Sequence, residues 1–361
     1  MRKFLCAVLS LAVCFSLSAC KSNPETEQTS SLESVITVAE TVSSEAEAVP
    51  ESEPEPVPNF TVKLSLAGDM ILACQQDNTT AGSFNEYANK YPSCYFLEKV
   101  KHIFEDDDFT IANLENVLTD RPLTEIYKDY SPAFWFKSKA ANIDILSSAS
   151  VEGVTLNNNH INDYSTEGVS DTIAAVTNSG IDYGTAEKIM YFEKNGFKIA
   201  VVCVGLWSTW SVTPALAKLE EAKTQSDYQV MLFHGGTEKL HSPEDWKINA
   251  AHTFVDNGAD LVVGGHPHVL QPREIYNGVE IVYSIGNFCY GGARRPENRT
   301  VIYQMELTVG ENNQLKASRS NIIPCYVYTG SVNNYQPVVV EEADVKQKIL
   351  DFMDGKCDSP V

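Results

Sequence analysis

The chain has 361 residues, a formal charge of −21 at pH 7 and nine cysteines. The charge divides into +2 over residues 1–20, −8 over 21–59 and −15 from Phe60 onward, so the acidity belongs to the body as well as to the leader region. Such a body argues against a sequence-independent nucleic-acid surface or an anionic-membrane surface, and any anionic ligand must be met locally by a metal, an Arg or a Lys.

The first residues read as a leader. Met1-Arg2-Lys3 is a basic start, and the apolar run after it is too short to span a bilayer comfortably. It closes in Leu17-Ser18-Ala19-Cys20, small residues before a cysteine, which resembles a bacterial lipoprotein signal over 1–19 with Cys20 as the lipidated mature N-terminus. A plain secretory signal or an uncleaved anchor are the alternatives, and all three place the body outside the cytoplasm. Acyl chains on Cys20 predict a stable hold on the extracellular face of the membrane. Residues 21–59 carry nine Glu and one Lys with no helix or strand period, so 20–59 is expected to be a disordered acidic tether.

About 300 residues remain, with no internal repeat and no linker, which favours one domain over 60–330 and a C-terminal extension with a short helix over 331–361. In chain order, Phe60 to Ala67 predicts a strand before a turn, 94–104 a helix, 109–116 a strand and 138–149 a helix. Residues 151–160 predict a buried strand ending in polar residues, 165–180 a helix, 197–206 and 227–234 strands, 242–260 a helix, and 261–268 and 279–288 strands. Strands alternating with helices predict an α/β fold with mainly parallel central strands. Six cysteines fall in this body without metal-knuckle spacing; Cys74 and Cys94 are the pair that would close a short loop in an oxidising compartment.

Polar residues follow the apolar strand patterns directly: Asp69, Glu115, Asn159, His160, His234, His266 and His268. The carboxyl ends of strands in an open α/β sheet share one edge, so these groups are expected to converge. Three consecutive amides at Asn157, Asn158 and Asn159 after a buried strand imply hydrogen-bonding work. In Gly-Gly-His-Pro-His, Pro267 stiffens the turn between two imidazoles. Two carboxylates, one amide oxygen and three or four imidazoles suit divalent Mn, Zn or Fe, one or two ions, with a carboxylate able to bridge them. His160 beside Asn159 is a candidate to protonate a leaving group, with Asp163 to orient it. No Gly-x-Ser-x-Gly elbow, P-loop or dinucleotide fingerprint is present.

The segments SLAGDMILA, ANLENVLTD, LNNNHINDYSTEGVSDT, FHGGTE, GADLVVGGHPHVLQP and VYSIGNF occur in the order found in CapA-type capsule-synthesis proteins, over about residues 60–325. That family resembles the calcineurin-like metallophosphoesterases. The resemblance implies a two-sheet sandwich flanked by helices, in α/β/β/α layers. It also implies Asp69 as the first aspartate, Glu115 as the bridging carboxylate, Asn159 and His160 as the Asn-His pair, His234 as the lone histidine, and His266 with His268 as the closing pair. Its first motif is usually Asp-x-His, whereas Ile71 stands here, so one site lacks an imidazole and is expected to be the weaker. His268 is expected to serve that site and His266 the other. Glu238 matches the CapA-type pattern and is a candidate to replace the missing contact, although a solvated charge at a helix start explains it equally. Asn287 is expected to shape the turn after its strand, with a direct role as an additional candidate. Trp207 and Trp210 either wall the cleft or merely pack.

The resemblance implies action on capsule polymer, poly-γ-glutamate, together with its membrane synthesis or export machinery. Two mechanisms stay open: metal-dependent hydrolysis or transfer on a phosphoester or γ-amide, and a non-catalytic polymer-handling subunit with a remnant metal site. An extracellular α/β domain without a capsule role is the third reading.

Overall fold

In the computed structural model, residues 59–75 and 78–361 are described. The leader over 1–19, Cys20 and all but the last residue of the tether over 20–59 lie outside them. The first half of the body runs through β1 (Phe60–Ile71), the short β2 (Cys74–Gln75), α1 (Phe84–Lys90), α2 (Lys101–Phe104), β3 (Phe109–Leu114), β4 (Val117–Leu118) and β5 (Phe136–Ser138). It continues through α3 (Asp144–Ser147), β6 (Gly153–Thr155), α4 (Ser165–Asn178) and β7 (Asp182–Gly184). The second half holds β8 (Met190–Lys194), β9 (Phe197–Gly205), α5 (Val212–Lys223), β10 (Tyr228–His234), α6 (Asp245–Asp256), β11 (Leu261–Gly265) and β12 (Leu270–Tyr276). It closes with β13 (Val279–Ile285), β14 (Asn287–Tyr290), β15 (Thr300–Val309), β16 (Leu315–Tyr326), β17 (Val338–Val339) and α7 (Ala343–Met353).

Two sheets carry the fold. The first has the order β17-β16-β15-β1-β3-β6-β7, with β14 added beside the end of β1, and the second has β12-β13-β11-β10-β9-β8. In each, a parallel block adjoins antiparallel strands: β1, β3, β6 and β7 run parallel in the first, and β9, β10, β11 and β13 in the second. Strands buried on both faces read as continuous apolar runs, and alternation then sorts their side chains between two cores. In β9, Ile199, Val201 and Cys203 face the first sheet, where they meet Val62, Leu64 and Leu66 of β1. Ala200, Val202 and Val204 face outward onto Leu219 and Ala222 of α5 and Phe254 of α6. The outer face of the first sheet, with Ala112, Leu114 and Val154, is covered by Phe84, Phe104, Leu146 and Val176 from α1 to α4. The layers are therefore helices, sheet, sheet, helices, which is the α/β/β/α arrangement expected. From the C-terminal segment, Ile349, Phe352 and Met353 of α7 join the core between the sheets.

Several local expectations are corrected. β1 does not stop at Ala67 but runs to Ile71. The 94–104 helix is replaced by a 3₁₀ turn at Ser93–Tyr95, irregular turns and the one-turn α2. Its aromatic residues are committed to packing, with Tyr91 stacked on Tyr95 at 4.2 Å and Phe84 against Phe96 at 4.9 Å, so tertiary contacts override helical spacing. The 138–149 helix is split into a 3₁₀ turn at Ala140–Ile143 followed by α3, because its first residue belongs to β5. Cys74 and Cys94 do not pair: Cys74 is buried with Sγ 2.6 Å from the Asn78 carbonyl, whereas Cys94 is exposed.

Candidate metal centre

The carboxyl ends of the parallel strands of both sheets open on one edge, and a bulge aims the first ligand there. Ala67 pairs with Ala112 and Asp69 with Asn113, so Gly68 is an extra residue in β1. Strict alternation from Leu66, which faces the second sheet, puts residue 69 on the outer face; the bulge turns Asp69 inward and Met70 outward. A Cβ at position 68 would fall 2.0 Å from the Gly286 carbonyl oxygen, so only glycine allows the bulge this close to the turn between β13 and β14. The same constraint recurs at Gly265, where a Cβ would sit 2.7 Å from Asp69 Oδ1. The following turn holds His266 at φ +93° and His268 at φ +57°. Left-handed backbone in non-glycine residues costs roughly 1–3 kcal/mol each and persists where the surroundings impose it.

Two groups of ligand-type atoms result, each with its atoms within 4.8 Å of one another: Glu115, His234 and His266, and Asp69, Glu115 and His268. Glu115 is common to both. In the first group, His234 Nε2 lies 2.9 Å from Asn159 Oδ1, 3.1 Å from His266 Nδ1 and 3.3 Å from Glu115 Oε1. In the second, Asp69 Oδ2 is 3.2 Å from His268 Nδ1, and His268 Nε2 is 3.8 Å from Glu115 Oε1. Ligands held at about 2.0–2.1 Å from a divalent ion stand roughly 3.0–3.4 Å apart. The first group fits that spacing, and the second is looser. Glu115 Oε1 is buried with no well-formed hydrogen bond, its nearest charged neighbours being the ligand-type atoms His234 Nε2 at 3.3 Å and His268 Nε2 at 3.8 Å, although an oxygen hidden in this way normally has a partner. The donor set, the spacing and this orphaned oxygen all fit divalent ions.

Amides hold the carboxylates in place. Asn113 Nδ2 donates to Asp69 Oδ1 at 2.8 Å and to Glu115 Oε2 at 3.3 Å, while Asn158 Nδ2 donates to Asn113 Oδ1 at 2.9 Å. Asn157 Nδ2 reaches the Cys203 carbonyl of the second sheet at 2.9 Å. Asn287 clamps His268 at both ends, 3.0 Å from its Nδ1 and 3.0 Å from its carbonyl. Without a cation the charges settle among the side chains themselves. Burial lowers the His234 and His268 imidazoles, but the Glu115 charge and the Asp69 carboxylate outweigh it and push both up to about 9. Burial raises Asp69, yet hydrogen bonds and charge from these two histidines hold it well below the usual carboxylate range. Burial and the neighbouring His234 and His268 push His266 down to about 2. The Glu115 and Asp69 charges thus favour the protonated form of one imidazole in each ligand group.

His160 stands apart from both groups. Its Nδ1 is 2.8 Å from Asp163 Oδ2, and Asp163 is wholly buried, accepting also from the Phe136 amide at 2.8 Å and from Lys128 Nζ at 2.6 Å. His160, His268, Asn287 and Glu238 line a cavity of about 410 Å³, so Glu238 faces the entrance, exposed, and belongs to neither ligand group. Trp207 covers the second-sheet histidines, its ring 5.8 Å from His234 and 5.4 Å from His266, whereas Trp210 is 87% exposed. Arg295 lines the cavity mouth. Ile71, where the resemblance implies a histidine, is fully buried among apolar residues with Phe136 and Tyr290. Sequence reasoning missed Asn113 and Lys128. Asn113 lies inside a strand pattern, and Lys128 lies in a segment with no period.

Residues 63–291 match the family described as bacterial capsule synthesis protein PGA_cap. The chain is 28% identical to the PGA biosynthesis protein CapA of Bacillus subtilis (strain 168) over 278 residues, 70% of this chain and 69% of that protein. It is 28% identical to the capsule biosynthesis protein CapA of Bacillus anthracis over 277 residues, 68% of this chain and 64% of that protein. A probable polyglutamine synthesis accessory protein of Mycobacterium tuberculosis is 23% identical over 218 residues, 49% of this chain and 57% of that protein. Among solved structures, TT1561 of Thermus thermophilus aligns over 73% of this chain and 99% of its own, with a TM-score of 0.39 and 14% identity. Zinc-complexed Vps29 of Entamoeba histolytica aligns over 63% and 94%, with a TM-score of 0.24 and 11% identity. The match over 63–291 covers more than half of the chain, which therefore belongs to the bacterial capsule synthesis protein PGA_cap family.

Proposed function

We propose that this protein acts at the outer face of the cell membrane in the synthesis, export or attachment of a poly-γ-glutamate capsule. In this reading it is tethered through a lipidated Cys20 and works through a two-ion centre on a phosphoester or a γ-glutamyl amide. The names of its Bacillus relatives support the capsule role. The observation that carries the metal chemistry is Glu115 Oε1, a buried carboxylate oxygen with no well-formed hydrogen bond, surrounded by the ligand-type atoms of both groups. Two bound ions lower the pKa of a shared water and clamp the attacking and leaving oxygens of a displacement. Asp69, Glu115, His268 and Glu115, His234, His266, Asn159 are the residues to hold them. His160, oriented by Asp163 and facing the cavity, is placed to give a proton to the leaving group. A body of charge −15 repels an acidic polymer, and bound cations offset that locally.

A second reading, a polymer-binding accessory subunit holding one ion without turnover, is favoured by Ile71 and by the looser group around His268. The test is the metal content of the purified protein and of His266→Ala and His268→Ala. Two ions in the parent, with one lost in each variant, support the two-ion centre; equal content in all three sinks it. Turnover of phosphodiester or γ-glutamyl substrates that vanishes in His160→Ala while metal stays supports catalysis, and no turnover in the parent supports the accessory reading.

A further inference from the structure

The ligand group around His268 lacks the imidazole that position 71 would supply, and a different polar atom enters the same neighbourhood from the adjacent strand. β14 lies parallel to the end of β1, with Asp69 opposite Asn287 and Ile71 opposite Tyr290. Tyr290 is 9% exposed, and its ring is 5.2 Å from that of His268. The ring packs with Ile71 and Phe136, which fixes its direction. A tyrosine buried to this extent normally finds a partner for its hydroxyl. Here, among the described residues, none bonds to it, and the residue lines the 410 Å³ cavity shared with His160 and His268. The hydroxyl oxygen is not sealed in the core as Glu115 Oε1 is. Gly292 keeps the space beside it open, since a Cβ there would come within 2.8 Å of the Tyr290 oxygen.

We infer that Tyr290 positions the substrate, its hydroxyl donating a hydrogen bond to an oxygen of the anionic group held in the cavity beside His268. This rests on the proposed function and adds to it the group that orients the substrate. The chemistry recognised is an oxyanion, whether phosphate or carboxylate. A two-torsion aromatic side chain clamped by packing holds such a donor with little loss of freedom on binding, unlike the exposed Arg295 and Lys239 at the mouth.

The experiment uses the full chain loaded with Mn²⁺ and the Tyr290→Phe variant, which keeps the ring and removes one oxygen. Isothermal titration with inorganic phosphate and, separately, with γ-glutamyl-glutamate reads the two oxyanion sources. The expected result is unchanged metal content and about tenfold or greater weakening for at least one probe, the size of effect for a lost hydrogen bond to a charged group. Weakening toward phosphate alone assigns a phosphoester, and toward the dipeptide alone a glutamyl chain. Binding of both probes equal to the parent overturns the inference. Loss of metal in the variant also overturns it, because the hydroxyl would then be a ligand. A parent that holds no metal refutes the proposed two-ion centre instead, and the comparison of parent and variant for probe binding still reads the hydroxyl.

Discussion

Metal binding at this centre is expected to be a proton exchange, and its size follows from the charges around Glu115. Without a cation, His234 and His268 have pKa values of about 9, and each belongs to a different ligand group. A metal-bound imidazole must be neutral, so each ion displaces about one proton at pH 7. The sign follows directly: protons compete with the ion below pH 9, and the apparent affinity for each ion rises about tenfold per pH unit between 7 and 9, then levels. That amounts to about a hundredfold, or roughly 3 kcal/mol, per ion across the window. Titration with Mn²⁺ at pH 7, 8 and 9, in buffers of differing ionisation enthalpy, measures both the affinity and the protons released. In Glu115→Gln both groups lose their shared ligand, and both histidines lose the charge that raises them most. Weakening of both ions by about a hundredfold or more is expected, with a flatter pH dependence. Metal affinity that is pH-independent in the parent, or a variant binding two ions with parental affinity, refutes the reasoning.

Two further outcomes follow from other parts of the molecule. Burial pushes Asp107 up to about 6, and burial with the Asp107 charge pushes Glu152 up to about 7. Both lie above their unfolded values, so their stabilising effect is full below about pH 4 and is lost as pH rises through 6–7. Glu152→Gln keeps an acceptor for the Thr110 amide, bonded at 2.7 Å, so urea denaturation should show a smaller loss of stability between pH 4 and 7 and a more stable variant at pH 8. Cys20→Ala should move the protein from the membrane fraction to the soluble extracellular fraction; unchanged partitioning on cell fractionation refutes lipid anchoring at that residue.

The parallel α/β strands are legible because their cause is compositional, whereas their division into two facing sheets is implied by the family resemblance. A strand covered on both faces must be apolar at nearly every position, and β9, β10 and β11 are. The helices α4 and α6 are legible from their period, while α5 and the aromatic stretch around Tyr95 are not. There, ring packing rather than helical spacing decides the backbone. At the candidate centre, the run of amides from Asn157 to Asn159 announced hydrogen-bonding work. The particular tasks, one across to the second sheet, one onto Asn113 and one onto His234, depend on partners far along the chain.

Which residue types stand at the strand ends can be read along the chain, because an apolar run broken by Asp, Asn or His is visible without knowing where the strand lies. The family resemblance adds that Ile71 stands where it implies a histidine. That Asp69 faces inward follows from the fold, because period-two counting points it outward and the Gly68 bulge reverses it. The fold also sets Glu115, which the resemblance implies as the bridging carboxylate, within both ligand groups and the Tyr290 ring 5.2 Å from that of His268. Those facts are relations between strands far apart in the chain, within one sheet for Asp69 and across both for Glu115, and no local pattern encodes the distance between them.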